Sequence, residues 1–280
     1  MKIKIWGSRG SIPSPGKHTL KYGGNTTCLE VTLKDNTTFI FDAGTGIRNL
    51  GNRIAQESNP LEICIVFTHT HWDHMIGFPF FKPAYSKRFK INLRGGHAAK
   101  FTMRKILEHQ MEAPFFPVPF SAMQAEFFYS KGEPIEKDIG LGRVMPIPLS
   151  HPNGGFGYKL IEDDKSFIFL TDNELDLRHE DGKSTQEYIE FCKGATLLIH
   201  DAQYTEEEYK LTKGWGHSTY TAATNLAIEA GVTHFGLFHH DPEHSDDDID
   251  AIVEKSRQMA SNKKSKTDCF GVYEGQEIIV

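Results

Sequence analysis

The stretch Phe67-Thr68-His69-Thr70-His71-Trp72-Asp73-His74 packs three histidines and one aspartate into six residues. It continues directly from the apolar run Ile63-Cys64-Ile65-Val66-Phe67. A short β-rich apolar run reads as a buried strand, so the cluster sits where that strand ends. His69 and His71 are two apart, which puts both imidazoles on one side of an extended segment. Asp73 and His74 follow after the chain turns and face the same space from another direction. Neutral imidazoles and a carboxylate are the ligands that borderline divalent metals prefer, and no cysteine intrudes. A single histidine of this kind would read as an ordinary core or surface residue. Four ligand-type groups together read as a metal site.

Outward from this stretch, the second half of the chain repeats the theme of an apolar strand ending in a ligand-type residue. Val144 to Leu149 leads to Ser150-His151, and Ser166 to Thr171 leads to Asp172-Asn173-Glu174. Ala195 to Ile199 leads to His200-Asp201, and His234 to Phe238 leads to His239-His240. Together they suggest a sheet whose ends gather on one rim. In the first half, Asp35-Asn36 reads as a hairpin turn before the strand Thr38 to Phe41, which ends at Asp42. The N-terminal loop Gly7 to Gly16 is rich in turn formers. It reads either as a surface connection or as a place where Ser8, Arg9 and backbone N–H groups approach an anionic ligand.

Further expectations concern local structure. Met75 to Phe81 reads as the opening of a helix beneath the site. Ser218 is expected to cap a helix over 219–230, and Ser245 one over 246–259, with the acidic run Asp246-Asp247-Asp248 serving the helix N-terminus rather than a metal. Phe270 to Val280 reads as a closing hairpin around Glu274-Gly275. Residues 97–130 interrupt the pattern. A helix is expected over 97–112, and the proline-rich apolar stretch Ala113 to Phe120 reads as a packed loop, an active-site flap or a homodimer contact.

The His-x-His-x-Asp-His run resembles the signature of the metallo-β-lactamase superfamily, and the resemblance extends over nearly the whole chain. It implies an α/β fold, a four-layer αβ/βα sandwich with a two-metal site at its strand ends. By the same resemblance, one metal takes His69, His71 and His151, and the other takes Asp73, His74 and either His239 or His240. His239 is favoured because it directly follows the apolar strand. Asp172 would bridge the two ions, and Asp42 would support the metal loop. Zinc is the first expectation, with manganese or iron also accepted by such a donor set. Gly216-His217-Ser218-Thr219 ahead of an alanine-rich helix resembles the phosphodiesterase branch, which includes the transfer-RNA 3′-end endonucleases. That resemblance implies a catalytic pairing of His217 with Asp201, with Asp73 also at the reacting centre.

Composition bounds the reading. The net charge of −6 argues against a general polyanion binder, whose affinity would rest on a basic surface. The glycine- and basic-rich arm with which transfer-RNA endonucleases clamp their substrate is not apparent either. A small anionic phosphodiester, a cyclic nucleotide first, is therefore the expected substrate. The alternatives are a lactone, ester or thioester, transfer-RNA 3′-end cleavage, and a non-catalytic ligand-binding protein. The four cysteines are scattered without a Cys-x-x-Cys pair and read as reduced thiols. No apolar stretch approaches transmembrane length, and Met1 to Trp6 alternates like a strand. One domain over 1–280, cytoplasmic and without membrane or nucleic-acid partners, is the expectation.

Overall fold

The apolar runs that end in ligand-type residues become strands, and burial along each records how many faces it covers. The computed structural model describes residues 1–58, 62–95, 103–129, 137–139 and 142–280. The first half supplies β1 (Lys2–Gly7), β2 (Cys28–Thr32), β3 (Thr38–Phe41), β4 (Glu62–Phe67), β5 (Lys90–Gly95) and β6 (Glu126–Tyr129). The second half supplies β7 (Lys137–Ile139), β8 (Gly142–Pro148), β9 (Phe156–Glu162), β10 (Lys165–Leu170), β11 (Leu197–Asp201), β12 (His234–Phe238) and β13 (Asp268–Gly271). The last strand, β14 (Glu277–Ile279), returns to the first sheet.

Among the described residues the strand orders are β14-β1-β2-β3-β4-β5-β6 and β13-β12-β11-β10-β9-β8-β7. Each sheet is antiparallel on one side and parallel on the other. The change falls at β3 in the first sheet and at β10 in the second. The parallel strands β3, β4, β10, β11 and β12 need both faces covered, which explains their almost unbroken burial.

Three apolar clusters define the layers. Between the sheets, Ile3, Val31, Phe41 and Val66 meet Tyr158, Phe167, Phe169 and Phe238. The Phe41 ring lies 5.5 Å from Tyr158 and 6.0 Å from Phe169. Burying each such phenylalanine stabilises the fold by roughly 1.5–3 kcal/mol. On the outer face of the first sheet, Ile40, Ile65 and Leu93 pack against α1 (Ile47–Ile54) and α3 (Met103–Gln110). On the outer face of the second, Ile168, Leu198 and Leu237 pack against α4 (Thr185–Cys192), α6 (Tyr220–Glu229) and α7 (Asp246–Asn262). Helix, sheet, sheet and helix make the expected four layers.

Several local expectations are corrected. The helix after the ligand run is only one turn, α2 (Trp72–Met75), followed by 3-10 turns at Phe78–Phe80 and Lys82–Tyr85, where Pro79 and Pro83 remove backbone donors. Thr219, not Ser218, caps α6 by accepting from the Ala222 N–H, because Ser218 Oγ is already bonded to the Asn173 carbonyl. Ser245 caps α7 in a reciprocal box with Asp248 as expected, but α7 runs on to Asn262. The C-terminus is no hairpin, since β13 joins the second sheet beside β12 and β14 joins the first beside β1. The chain crosses between sheets at the turn around Gly275, whose φ is +90°. Within 97–130, residues 97–102 and 130 lie outside the described residues; α3 and β6 fall in the rest. No disulfide links the four cysteines, and no helix among the described residues is long and apolar enough to cross a membrane.

Candidate metal centre

The ends of β3, β4, β8, β10, β11 and β12 supply the polar groups, so the two sheets deliver their carboxyl-terminal rims to one place. Asp42 and His239, each immediately after its strand, and Asp172, one residue further on from its own, take φ of +60°, +59° and +54°. Non-glycine residues rarely adopt this left-handed conformation, and it concentrates at sites where tertiary structure over-determines the backbone.

Among the described residues, ligand-type atoms gather there in four overlapping groups, two of which include His217. The two without it are His69, His71 and His151, and Asp73, His74, Asp172 and His239. Asp172 stands between them. Its Oδ2 lies 3.5 Å from His69 Nε2 and 3.8 Å from His151 Nε2. Its Oδ1 lies 3.2 Å from His74 Nε2 and 3.3 Å from His239 Nε2. Asp73 Oδ2 approaches the same two nitrogens, at 3.2 Å from His74 and 3.1 Å from His239. His151 Nε2 and His71 Nδ1 are 2.9 Å apart.

The rings are held from behind. Asp42 accepts from the Thr68 N–H and hydroxyl at 2.7 and 2.8 Å and meets His74 Nδ1 at 2.9 Å. His151 Nδ1 donates to the Gly216 carbonyl at 2.8 Å, and His239 Nδ1 to Gln203 Oε1 at 2.8 Å. Fixing Nδ1 in this way leaves Nε2 as the free lone pair, as in metal-ligating histidines. The buried Nε2 atoms of His69 and His74 have no hydrogen-bond partner, although buried polar atoms are nearly always paired. Those orphaned nitrogens and the mixed His/Asp donor set fit divalent cations. Burial, with the nearby charge of His74, holds His69 well below the usual imidazole range. Burial likewise lowers His151 to about 3, so both rings stand neutral as ligands must.

Between the clusters and β11, His217 Nδ1 bonds Asp201 Oδ2 at 2.8 Å, and Asp201 Oδ1 accepts from the Ser218 N–H at 2.9 Å. Burial opposes charge on His217, but the hydrogen bond and charge of Asp201, then the charges of Asp172 and Asp73, raise it to about 9. The His217 ring stacks on His239 with centroids 4.8 Å apart, and its side chain keeps 10% exposure.

One expectation changes at this point, and one preference is met. Ser8 and Arg9 do not meet an anionic ligand through their side chains. Ser8 Oγ donates to the Tyr22 carbonyl, and the fully buried Arg9 guanidinium donates to the carbonyls of Gly23, Asp241 and His244. Arg9 is a clamp between two loops, and from this segment the Ser11 N–H reaches the site, donating to Asp73 at 2.9 Å. Between His239 and His240, the chain turns His239 inward. His240 Nε2 instead donates to the Val272 carbonyl at 2.7 Å.

Gln203, Thr68 and Asn173 were not legible as site residues. Thr and Asn at strand ends have many ordinary uses, and only the fold brings Gln203 to His239. Gly10 had no signal either. A Cβ there would lie 2.4 Å from His239 Nδ1, so the close approach demands glycine.

Fold and site together define a metal-dependent hydrolase. The chain belongs to the β-lactamase superfamily, whose domain profile matches residues 37–240. It is 39% identical over 267 residues to a ribonuclease Z of Brevibacillus brevis, covering 79% of this chain and 81% of that one. The metallo-β-lactamase fold protein YhfI of Bacillus subtilis superposes with a TM-score of 0.69 at 13% identity, over 99% of this chain and 98% of that one. A diphosphatase of the PhnP family superposes with a TM-score of 0.66 at 16% identity, over 100% of this chain and 97% of its own.

Proposed function

We propose that the protein is a phosphodiesterase acting on a small anionic substrate, a cyclic nucleotide first. The observation that carries this reading is the Asp201–His217 pair, 2.8 Å apart and beside Asp172. A phosphodiester expels an alkoxide, a poor leaving group, and a positioned protonated imidazole is suited to supply its proton. Asp201 holds Nδ1 and favours the imidazolium. That leaves the Nε2 proton of His217 for the departing oxygen.

His69, His71 and His151 with Asp172 Oδ2 would hold one divalent ion, and Asp73, His74 and His239 with Asp172 Oδ1 the second. Zinc is favoured, with manganese or iron also suited to the donors. Bound there, the ions would supply Lewis acidity and an activated water. Asp73, anchored by the Ser11 N–H, borders the same space from the N-terminal loop.

The test pairs elemental analysis of the purified protein with hydrolysis of 2′,3′- and 3′,5′-cyclic nucleotides. Near two metals per chain with cyclic-nucleotide turnover supports the reading. Two metals with turnover of a lactone, ester or thioester panel and none of phosphodiesters overturns it. A second reading, RNA 3′-end cleavage, is favoured by the ribonuclease Z relative at 39% identity. Against it stands the charge of −6, which disfavours a polyanion. Cleavage of a precursor transfer RNA at the trailer junction, faster than any cyclic nucleotide, would decide for the second.

A further inference from the structure

Glu174 lies two residues beyond Asp172, with its side chain fully buried. Four donors converge on its carboxylate. Oε1 accepts from the Tyr209 hydroxyl at 2.6 Å and the Gly214 N–H at 2.8 Å. Oε2 accepts from the Gly216 N–H at 2.8 Å and meets His179 Nε2 at 2.8 Å. A carboxylate offers about four acceptor sites, so this one is saturated. Burying a charge is costly unless it is fully hydrogen-bonded, and no step proposed above uses this one. Its partners show what it holds.

The two amides belong to Gly214-Trp215-Gly216, the segment leading into His217. Gly214 and Gly216 take φ of +90° and +97°, which side-chain-bearing residues rarely adopt. A Cβ on Gly216 would also fall 2.0 Å from His151 Nδ1. The loop is thus built to turn its amides toward Glu174 while the Gly216 carbonyl accepts from His151 Nδ1. One peptide further on, His217 reaches Asp201.

We infer that Glu174 is a positioning residue: it pins the Gly214–Gly216 loop by its amides, so that the Gly216 carbonyl orients His151 and His217 is delivered to Asp201. The His217 half rests on the phosphodiesterase reading, and the His151 half does not. Glu174→Gln preserves size but turns an NH2 group toward two of the four donors, which unpins the loop.

The experiment compares wild type, Glu174→Gln and His217→Ala by three readouts. Hydrogen exchange follows the Gly214 and Gly216 amides, competition titration gives the Zn²⁺ affinity of the metal-stripped protein, and aryl phosphodiesters from p-nitrophenyl to phenyl give the leaving-group dependence. In Glu174→Gln, exchange at both glycines accelerates and Zn²⁺ affinity falls about 10- to 100-fold, the size seen when a metal ligand loses its supporting partner. Turnover loss at saturating Zn²⁺ grows toward the phenyl ester, reaching about 100-fold, as it does in His217→Ala.

Wild-type exchange and Zn²⁺ affinity in Glu174→Gln would overturn the inference. A loss uniform across the leaving groups would overturn its His217 half. Should Glu174→Gln fail to fold, Tyr209→Phe removes one donor from the same carboxylate and is expected to give the same pattern more weakly; wild-type behaviour there counts equally against it. If wild type hydrolyses no diester, the phosphodiesterase reading fails by itself, and the exchange and Zn²⁺ readouts alone decide whether Glu174 pins the loop.

Discussion

The rim of the first sheet and the rim of the second contribute to one site by opposite means. The first places His69, His71, Asp73 and His74 from a single run that leads out of β4 and into α2, tied down by Asp42. The second assembles His151, Asp172, Asp201, His217 and His239 from separate strand ends and one loop, with Gly216 holding His151, Asp201 holding His217 and Gln203 holding His239. A contiguous run needs one local support. A dispersed set needs every strand in register, because a slip of one residue moves a side chain to the opposite face. The first rim is therefore a local device, and the second is a property of the whole fold.

The largest effect is expected where the two rims meet. Asp172→Ala should abolish binding of both metals and reduce turnover to background, read by elemental analysis and assay on the same sample. Retention of one tightly bound metal would separate the rims and show that they load independently. Next comes His217→Ala, which lies outside both metal sets as assigned. It should keep its metal and lose about 10²–10⁴-fold in turnover of an unactivated phosphodiester. Intact turnover would remove His217 from the chemistry.

The supports behind the ligands test the comparison directly. Asp42→Asn on the first rim and Gln203→Ala on the second should each weaken metal affinity by about 10- to 100-fold. Asp42 should sit at the upper end, because it meets His74 directly and holds Thr68, whose hydroxyl meets His69 Nδ1, whereas His239 is the one metal ligand that Gln203 meets. The reverse order, measured by chelator competition, would mean that the dispersed rim depends more on its local supports.

The smallest effect is a pH dependence of the metal-free protein. His217, raised to about 9 from its usual 6.5, contributes stability that is fully present below about 6.5 and is lost as pH rises through about 9. Asp201→Asn should flatten denaturant midpoints across that window in the stripped protein. An unchanged slope would mean that the pair does not hold the proton.

Legibility divides along the same line. The first rim was readable because strand, turn and ligands are contiguous, and a period of two places His69 and His71 together. By residue pattern alone Asp172 and His239 were readable only as strand ends; the bridging place of Asp172 and the preference for His239 came from the superfamily resemblance. Arg9 misled because an arginine in a glycine-rich loop has the same sequence appearance whether it faces a phosphate or three buried carbonyls. The C-terminal hairpin misled because a turn at Gly275 is compatible with strands that pair together or with strands that part into two sheets.

The sequence by itself determined the local chemistry: which strands are buried on both faces, where the His/Asp run falls, and that a hydrolytic metal centre of this superfamily is encoded. Those signals travel through neighbours along the chain, within one strand or one turn. The tertiary structure alone decided that the Arg9 guanidinium turns onto buried carbonyls, and that Gln203 and Glu174 support ligands that neither adjoins in sequence. Each of these depends on the facing of two sheets and the register of parallel strands. Contacts at long sequence separation set that geometry, and no local pattern of residue types specifies it.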